Sequence, residues 1–338
     1  MWWRGLLTLY LVWFTGYCRC MIDYFKGCGL LLLLYVVVTA CSFNPCDSIF
    51  QYTKKDIYQA LSQNKVHLDS VDDMYYVASG SNGSVYGITR SRVVKVTSGK
   101  LNSVVERNVG VLNRIAGIVK IENIIAYEGK KYVVMIKYDD MLSDMIRSGV
   151  YKNDMDSALR CFYKIICAVD NLHNAGFAHM DLKANNVMFD SNGNVVIIDL
   201  GSLVEGKVTC HEQIGAIRNY SYDVANGLIE KTGYDARKYD IWCLGLMLYH
   251  MIFGEQVGCC VKYGFDNIKN VISFGGKRGY IRNVRDSRSS FDVVKDTNVN
   301  KLMPDGVKDL LSSMLTRYDK DRISLKETKQ KLDVLLRK

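Results

Sequence analysis

The spacing of apolar residues in the middle of the chain predicts a buried helix followed by a hairpin. Between residues 154 and 174 apolar positions recur at the helical period, and Gly176 follows as a stop signal. These positions are Leu159, Phe162, Ile166, Val169 and Leu172. Two short apolar runs, 187–189 and 195–198, then flank the turn-forming segment 190–193 and predict two paired strands.

The patterns on either side predict further elements. Residues 75–97 predict three strands, because short apolar runs alternate there with glycine-containing and polar turns. Residues 105–112 carry apolar residues at helical spacing. Residues 239–253 are apolar almost all round, which is typical of a helix in the centre of a domain.

The loop between the predicted helix and the hairpin carries residues that suit phosphoryl transfer. Asp181, Lys183 and Asn186 lie close together in the sequence, and Asp199 follows at the end of the second strand. An aspartate can take the proton of a substrate hydroxyl, and a lysine can neutralise the phosphoryl group in transfer. Asparagine and aspartate offer oxygen ligands of the hard kind that Mg²⁺ requires.

The segments 179–186 and 199–201 resemble the catalytic and metal-binding loops of eukaryotic-type protein kinases, H-R-D-L-K-x-x-N and D-F-G. The resemblance implies an α+β, two-lobed protein-kinase-like fold. Its small, mostly β N-lobe with the helix called αC would occupy about residues 72–138, and its larger, mostly α C-lobe about residues 139–336. It also implies ATP and Mg²⁺ as cofactors and proteins as substrates.

Within this resemblance, the strand-rich segment supplies the nucleotide site. Its first turn is similar to the glycine-rich loop G-x-G-x-x-G-x-V, with Ala78 at the first glycine, then Gly80 and Gly83, and Val85 at the valine. Glycines let backbone N–H groups approach phosphate closely. Lys95 matches the lysine of the third strand, which holds the α- and β-phosphates. A lysine between valines is otherwise the ordinary polar face of a strand.

Glu106 is the expected partner acid of Lys95. It is the only acid between Lys95 and Lys120, and it matches the glutamate of helix αC. Gly110, one turn further on, falls where the family keeps an apolar packing residue. The alternative is therefore a glutamate that faces solvent.

Two motifs near the C-terminus favour a protein kinase over aminoglycoside-type phosphotransferases. Residues 239–245 resemble the helix motif S-D-x-W-S-x-G, and residues 319–322 resemble D-P-x-x-R. In the family that arginine pairs with the glutamate of A-P-E, which Asp223 replaces here. The resemblance therefore implies an ion pair between Asp223 and Arg322.

Several positions depart from the family pattern. Met180 replaces the arginine of H-R-D, which receives an activation-loop phosphate in many kinases, so we expect activity that does not depend on phosphorylation of Ser202 or Thr209. Ala216 replaces a threonine beside the catalytic aspartate. Lys183, two residues after Asp181, follows the serine/threonine pattern. The terse motifs are similar to those of kinases encoded by large DNA viruses.

Composition adds two expectations. The net charge is +9 without a dense basic run, so nothing favours nucleic-acid binding. The cysteines of the kinase-like region lie mostly among apolar residues, which indicates buried thiols in a reducing compartment.

The first 44 residues predict a membrane anchor or signal anchor, and residues 45–71 a linker with a short helix. Residues 5–18 and 28–43 are apolar, each slightly short of the roughly 20 residues that span a bilayer. They could form two short membrane helices, a signal or anchor that starts at Met21, a bacterial lipid-attachment site, or an upstream extension that is not translated.

Two N-glycosylation sequons help to decide which side of the membrane the kinase-like region would face. Asn82 and Asn219 would be modified in a secretory lumen, where a glycan at either position would block function. We therefore expect a membrane-associated serine/threonine protein kinase whose catalytic domain faces the cytosol. The alternatives are a nucleotide-binding pseudokinase scaffold and a small-molecule phosphotransferase.

Overall fold

The computed structural model describes most of the chain after the apolar N-terminal region. The described residues are 45–68, 72, 74–80, 83–97, 101–206, 209–211, 215–254, 277–286 and 303–337. Both N-terminal apolar runs lie outside these ranges. Within them, every helix is too short or too polar to cross a membrane.

The chain divides into two compact units, Met1–Ile57 and Tyr58–Lys338. The described part of the first unit belongs to helix α1 (Pro45–Gln63). This helix is 19 residues long and therefore occupies most of the segment that was predicted as a linker with a short helix.

The second unit contains a five-stranded antiparallel sheet in the order β1-β2-β3-β5-β4. The strands are β1 (Tyr75–Gly80), β2 (Gly83–Gly87), β3 (Arg92–Thr97), β4 (Ile121–Tyr127) and β5 (Lys130–Ile136). The three strands predicted over 75–97 are confirmed. Val85 lies opposite Lys95, so the register of β2 and β3 places the glycine-rich turn beside the lysine.

Helix α2 (Ser103–Leu112) connects β3 to β4 and confirms the helical spacing seen in the sequence. Asn102 caps its N-terminus, and Val105 and Leu112 are buried. The loop that follows reaches the helical part of the domain, because the Val119 N–H donates to the Ile197 carbonyl at 3.0 Å and the Ile197 N–H to the Gly117 carbonyl at 2.8 Å.

The predicted helix and hairpin are also confirmed. Three short elements, β6 (Asp140–Met141), α3 (Leu142–Arg147) and β7 (Phe177–Ala178), flank the helix α4 (Met155–Asn174). Asp154 caps α4 by accepting from the Ser157 N–H, and the predicted apolar positions of α4 are buried. Strands β8 (Val187–Phe189) and β9 (Val195–Ile197) pair antiparallel and form the predicted hairpin.

Helices dominate the rest of the domain. The elements are β10 (Val204–Glu205), β11 (Thr209–Cys210), α5 (Tyr222–Glu230), β12 (Tyr234–Asp235), α6 (Ala236–Phe253), α7 (Lys277–Asp286), α8 (Asp305–Met314) and α9 (Leu325–Leu336). Helix α6 is buried over almost its whole length, as predicted. The small sheet-rich part and the larger helical part together give the two-lobed α+β fold.

Candidate active site

Asp199 lies at the end of the β9 hairpin, where the backbone changes direction. Its φ and ψ of 58° and 68° are left-handed, a conformation that non-glycine residues adopt rarely and mostly at functional sites. A 3₁₀ turn (Leu200–Ser202) follows, and its Leu200 side chain is buried. The backbone thus places Asp199 directly after the second strand of the hairpin, while the Leu200 side chain packs in the core.

Lys95 reaches Asp199 from the sheet. Its Nζ donates to Asp199 Oδ1 at 2.6 Å, and both side chains are largely shielded from solvent. Burial by itself raises the pKa of the Asp199 carboxyl. The ammonium of Lys95, assisted by His179 and the Gly201 N–H, outweighs burial, so the pKa of Asp199 lies below its usual range. Asp199 is therefore ionised at neutral pH.

Asp181 is the centre of a second cluster. Lys183 Nζ donates to its Oδ2 at 2.6 Å, and the Asn186 amide nitrogen donates to its backbone carbonyl at 2.8 Å and to Oδ2 at 3.1 Å. The Ala216 N–H donates to Oδ1 at 3.1 Å. Asp181 is buried, so these donors replace water around the carboxylate. The structure therefore brings the three predicted loop residues together.

The fully buried carboxylate of Asp240 bonds the backbone of the loop that carries Asp181. Asp240, in the first turns of α6, accepts from the backbone N–H groups of His179 and Met180, each at 2.8 Å, and from His173 Nε2 at 2.8 Å. Met180 itself has a left-handed φ of 68°. His179 Nε2 donates to the Ile198 carbonyl at 3.0 Å and so connects the loop to the residue before Asp199.

His173 is a functional residue that the sequence pattern did not reveal. It lies in the last turn of α4, where a histidine among apolar residues predicts ordinary core packing. Gly215 was also missed. Its φ is +73°, and a Cβ there would lie 2.1 Å from the Met180 carbonyl oxygen. A glycine is needed at this position for the following Ala216 N–H to reach Asp181.

The glycine-rich turn lies beside Lys95 as predicted from its register. Ala78 is opposite Val85 and Gly80 is opposite Gly83, while residues 81–82 at the tip lie outside the described ranges. Gly83 has a φ of +127°, and a Cβ there would lie 2.2 Å from the Val96 carbonyl oxygen. Close packing against β3 therefore requires glycine at position 83.

The expected Lys95–Glu106 pair is not formed. Glu106 Oε1 accepts from Lys131 Nζ at 2.7 Å, whereas Lys95 is bonded to Asp199. Because α2 begins only at Ser103, Glu106 lies in its first turn and on its solvent side, and the buried side carries Val105. This arrangement corresponds to the alternative of a solvent-facing glutamate.

The donor set suits Mg²⁺ bound together with a nucleotide. Within the described ranges, His, Cys, Asp and Glu side chains form no group of three or more that could hold a metal ion. Asp199 offers one carboxylate, and Asn186, whose amide nitrogen bonds Asp181, offers its amide oxygen. Mg²⁺ commonly takes only one or two protein oxygens and completes its shell with water and phosphate. The residues present fit this mode of binding.

Comparison with known sequences agrees with the geometry. The family described as "Protein kinase domain" matches residues 75–332, which is most of the chain. The chain belongs to this family. It is 31% identical over 168 residues to CBL-interacting protein kinase 2 of Oryza sativa subsp. japonica, covering 47% of this chain and 37% of the relative.

A second plant relative gives the same result. CBL-interacting serine/threonine-protein kinase 5 of Arabidopsis thaliana is 30% identical over 178 residues, which cover 49% of this chain and 37% of that protein. The chain therefore spans little more than a third of the length of the curated relatives it matches.

The protein kinase domain also contains the ion pair predicted near its C-terminus. Arg322 Nη2 lies 2.7 Å from Asp223 Oδ2, and Arg322 Nη1 donates to the Lys238 carbonyl at 2.9 Å. The Arg322 guanidinium also lies over the Trp242 ring. Burial raises the pKa of the Asp223 carboxyl, and the guanidinium offsets this effect only in part. The pair fixes α5 to the start of α6 and to the end of the domain.

Proposed function

We propose that the protein is an ATP-dependent serine/threonine protein kinase that uses Mg²⁺. The arrangement around Asp181 carries this proposal, because three donors orient its carboxylate. The same loop bonds Ile198, the residue before Asp199, and Asp199 pairs with Lys95. The names of the plant relatives, which describe protein kinases, agree with this activity.

Each residue has a separate role in the proposed reaction. Lys95 and the glycine-rich turn hold the nucleotide phosphates, and Asp199 and Asn186 hold Mg²⁺, which neutralises phosphate charge when bound. Asp181 accepts a hydrogen bond from the substrate hydroxyl and takes its proton. Lys183, already 2.6 Å from Asp181, neutralises charge on the group in transfer. Catalysis is mainly positioning and electrostatic stabilisation.

Two observations favour this function over its rivals. A pseudokinase scaffold would not need Lys95, Asp181, Asn186 and Asp199, and all four are present. A small-molecule phosphotransferase would not need the Arg322 ion pair and the buried helix α6, which are features of the protein kinase domain. The position of Lys183 favours serine and threonine hydroxyls as acceptors.

The proposed division of roles predicts different losses in two variants. Asp181→Asn should lower kcat on the order of 10³-fold with nucleotide affinity retained, because the acceptor hydroxyl is the only part of the two substrates that Asp181 is proposed to contact. Asp199→Ala should abolish the Mg²⁺-dependent reaction. Transfer of labelled γ-phosphate from ATP to generic protein substrates measures both, and Asp156→Asn, an exposed change on α4, is the control.

Two outcomes would contradict the proposal. Equal loss of nucleotide affinity in Asp181→Asn and Asp199→Ala would show that the roles are not divided. A folded wild-type protein that binds ATP and transfers phosphate to no protein substrate would favour the pseudokinase.

We also propose that the N-terminal apolar runs attach the protein to a membrane with the kinase domain in the cytosol. The support is the sequence of residues 5–18 and 28–43 together with the two sequons inside the domain. ATP is available to the domain on the cytosolic side.

A further inference from the structure

The Asn102 side chain forms two kinds of hydrogen bond at once. Its Oδ1 accepts from the Val104 N–H at 2.9 Å and so caps helix α2. Its amide nitrogen donates to the carbonyls of Leu203 and Gly201 at 2.8 and 3.2 Å. A helix cap requires only the first bond. The other two join α2 to a segment about one hundred residues away in the sequence.

The two carbonyls belong to the turn that follows the metal-binding aspartate. Gly201 lies in the 3₁₀ turn immediately after Asp199, and its N–H helps to lower the pKa of the Asp199 carboxyl. The Leu203 N–H closes the same turn on the Leu200 carbonyl at 3.1 Å. Asn102 therefore bonds the 201–202 and 203–204 peptide groups, the first of which is next in the chain to the peptide group that carries the Gly201 N–H, and does not touch the carboxylate itself.

The segment after this turn is held from two sides. On one side, Asn108 Nδ2 donates to Glu205 Oε2 at 3.3 Å, and Arg107 lies 3.7 Å from the same oxygen. On the other side, β10 pairs with β7, which leads into the catalytic loop. The metal-binding loop thus lies between α2 and the strand that precedes Asp181.

Glu106 does not connect helix α2 to the site around Lys95 and Asp199, and Asn102 provides a connection instead. The α2 carboxylate bonds Lys131, so the helix has no direct ion pair with Lys95. The amide of Asn102 bonds the turn directly after Asp199, whereas Asn108 and Arg107 of α2 bond Glu205 further along the segment. The amide is uncharged, so its bonds do not depend on a phosphate group. This agrees with Met180, which replaces the arginine that binds an activation-loop phosphate in many kinases.

We propose that Asn102 is a positioning residue that sets the Asp199 carboxylate for binding of the Mg²⁺–nucleotide complex. The inference rests on the proposed kinase function for its ligand, and it concerns metal binding and not transfer itself. It assigns to the first residue of the αC region a task beyond capping the helix.

Asn102→Asp tests the inference because it separates the two kinds of bond. Aspartate is as good a helix cap as asparagine, so the bond to Val104 is kept. It has no N–H to donate, so the Gly201 and Leu203 carbonyls lose their partner. The half-saturating Mg²⁺ concentration for binding of trinitrophenyl-ATP should rise about tenfold, a factor within the range that corresponds to loss of these two hydrogen bonds.

Asn113→Asp is the matched control at the other end of α2. The Asn113 side chain also both accepts and donates, because it accepts from the Ile121 N–H at 2.9 Å and donates to the Ile121 carbonyl at 2.7 Å. Neither bond involves the metal-binding loop. Its half-saturating Mg²⁺ concentration should stay at the wild-type value. Partial unfolding would itself raise this concentration, so both variants are compared at a temperature at which circular dichroism shows them fully folded.

Two further measurements keep the test decisive. If Asn102→Asp does not fold, Asn102→Ser keeps a cap oxygen but is too short to reach the carbonyls. Amide hydrogen exchange of residues 199–206, measured without nucleotide, should rise in either Asn102 variant and not in Asn113→Asp.

An unchanged half-saturating Mg²⁺ concentration in both Asn102 variants would show that Asn102 only caps the helix, and would overturn the proposal. An equal rise of this concentration in Asn113→Asp would overturn it as well. Failure of the kinase function is distinguishable, because it appears as absent phosphate transfer by the wild type while the Mg²⁺ dependence of nucleotide binding is measured separately.

Discussion

Replacement of the buried Asp240 carboxylate by an amide should destabilise the domain and disturb its catalytic loop. In the protein, Oδ2 accepts from His173 Nε2 and from the His179 N–H, and Oδ1 accepts from the Met180 N–H. Asp240→Asn has a single acceptor oxygen. Whichever way the amide turns, one backbone N–H of the loop faces an NH₂ group and loses its partner.

The size of the effect follows from these contacts. A hydrogen bond to a charged group contributes about 1.5–3 kcal/mol, and a buried donor left without a partner costs about 1–3 kcal/mol. The site is fully buried, so water does not replace the lost acceptor. We expect a loss of about 3 kcal/mol, which in a domain of this size lowers Tm by about 6–12 °C.

Asp235→Asn provides the matched control on the same helix. Asp235 caps α6 and uses a single oxygen, Oδ1, to accept from the Arg237 and Lys238 N–H groups at 2.9 and 3.0 Å. Asparagine keeps that oxygen and is an equally good cap, so Tm should hardly change. Thermal unfolding of both variants followed by circular dichroism, together with kcat for phosphate transfer, measures the difference.

The comparison has a clear contrary outcome. If Asp240→Asn unfolds at the same temperature as Asp235→Asn, the three contacts to Asp240 do not support the loop. If Asp240→Asn loses stability but keeps the wild-type kcat, Asp181 is oriented without help from α6, and the support described here is structural only.

Two other predictions concern regulation and location. Because Met180 replaces a guanidinium that would bind a loop phosphate, phosphatase treatment and Thr209→Ala should leave the rate of phosphate transfer unchanged, and a large fall in rate would show that another cation binds such a phosphate. Removal of residues 1–44 should release an active kinase from membranes in fractionation. The deletion removes the run 30–38, in which burial of each large side chain in the membrane would contribute about 1.5–3 kcal/mol. Protection of the kinase domain from protease added to the cytosolic side would contradict this placement.

The catalytic centre was predictable because its residues lie close together in the sequence. Asp181, Lys183 and Asn186 share one loop, and the turn between β8 and β9 sets the distance to Asp199. Local chemistry and spacing were therefore enough to predict which side chains meet. The Asp223–Arg322 pair was predictable for another reason, namely resemblance to a family motif, and the structure confirms it.

The partner of Lys95 could not be predicted in the same way. It depends on where α2 begins, and that point is fixed by the Asn102 cap, which in the sequence is one asparagine among many. The hydrogen bond from His173 to Asp240 joins residues 67 positions apart, and a histidine in an apolar pattern gives no indication of its partner. Long-range contacts between polar residues leave no periodicity in the sequence.

The burial of α6 also determines the order in which the domain can fold during synthesis. One face of this helix packs against a later part of the chain, since a Cβ at Gly245 would lie within 3 Å of the Leu315 side chain. Until α8 and Leu315 have left the ribosome, that apolar face has no partner and is open to chaperones or to aggregation. The helix that carries Asp240 therefore acquires its final environment only after residue 315 has been synthesised. The catalytic loop is made early, and the packing that supports it is completed late.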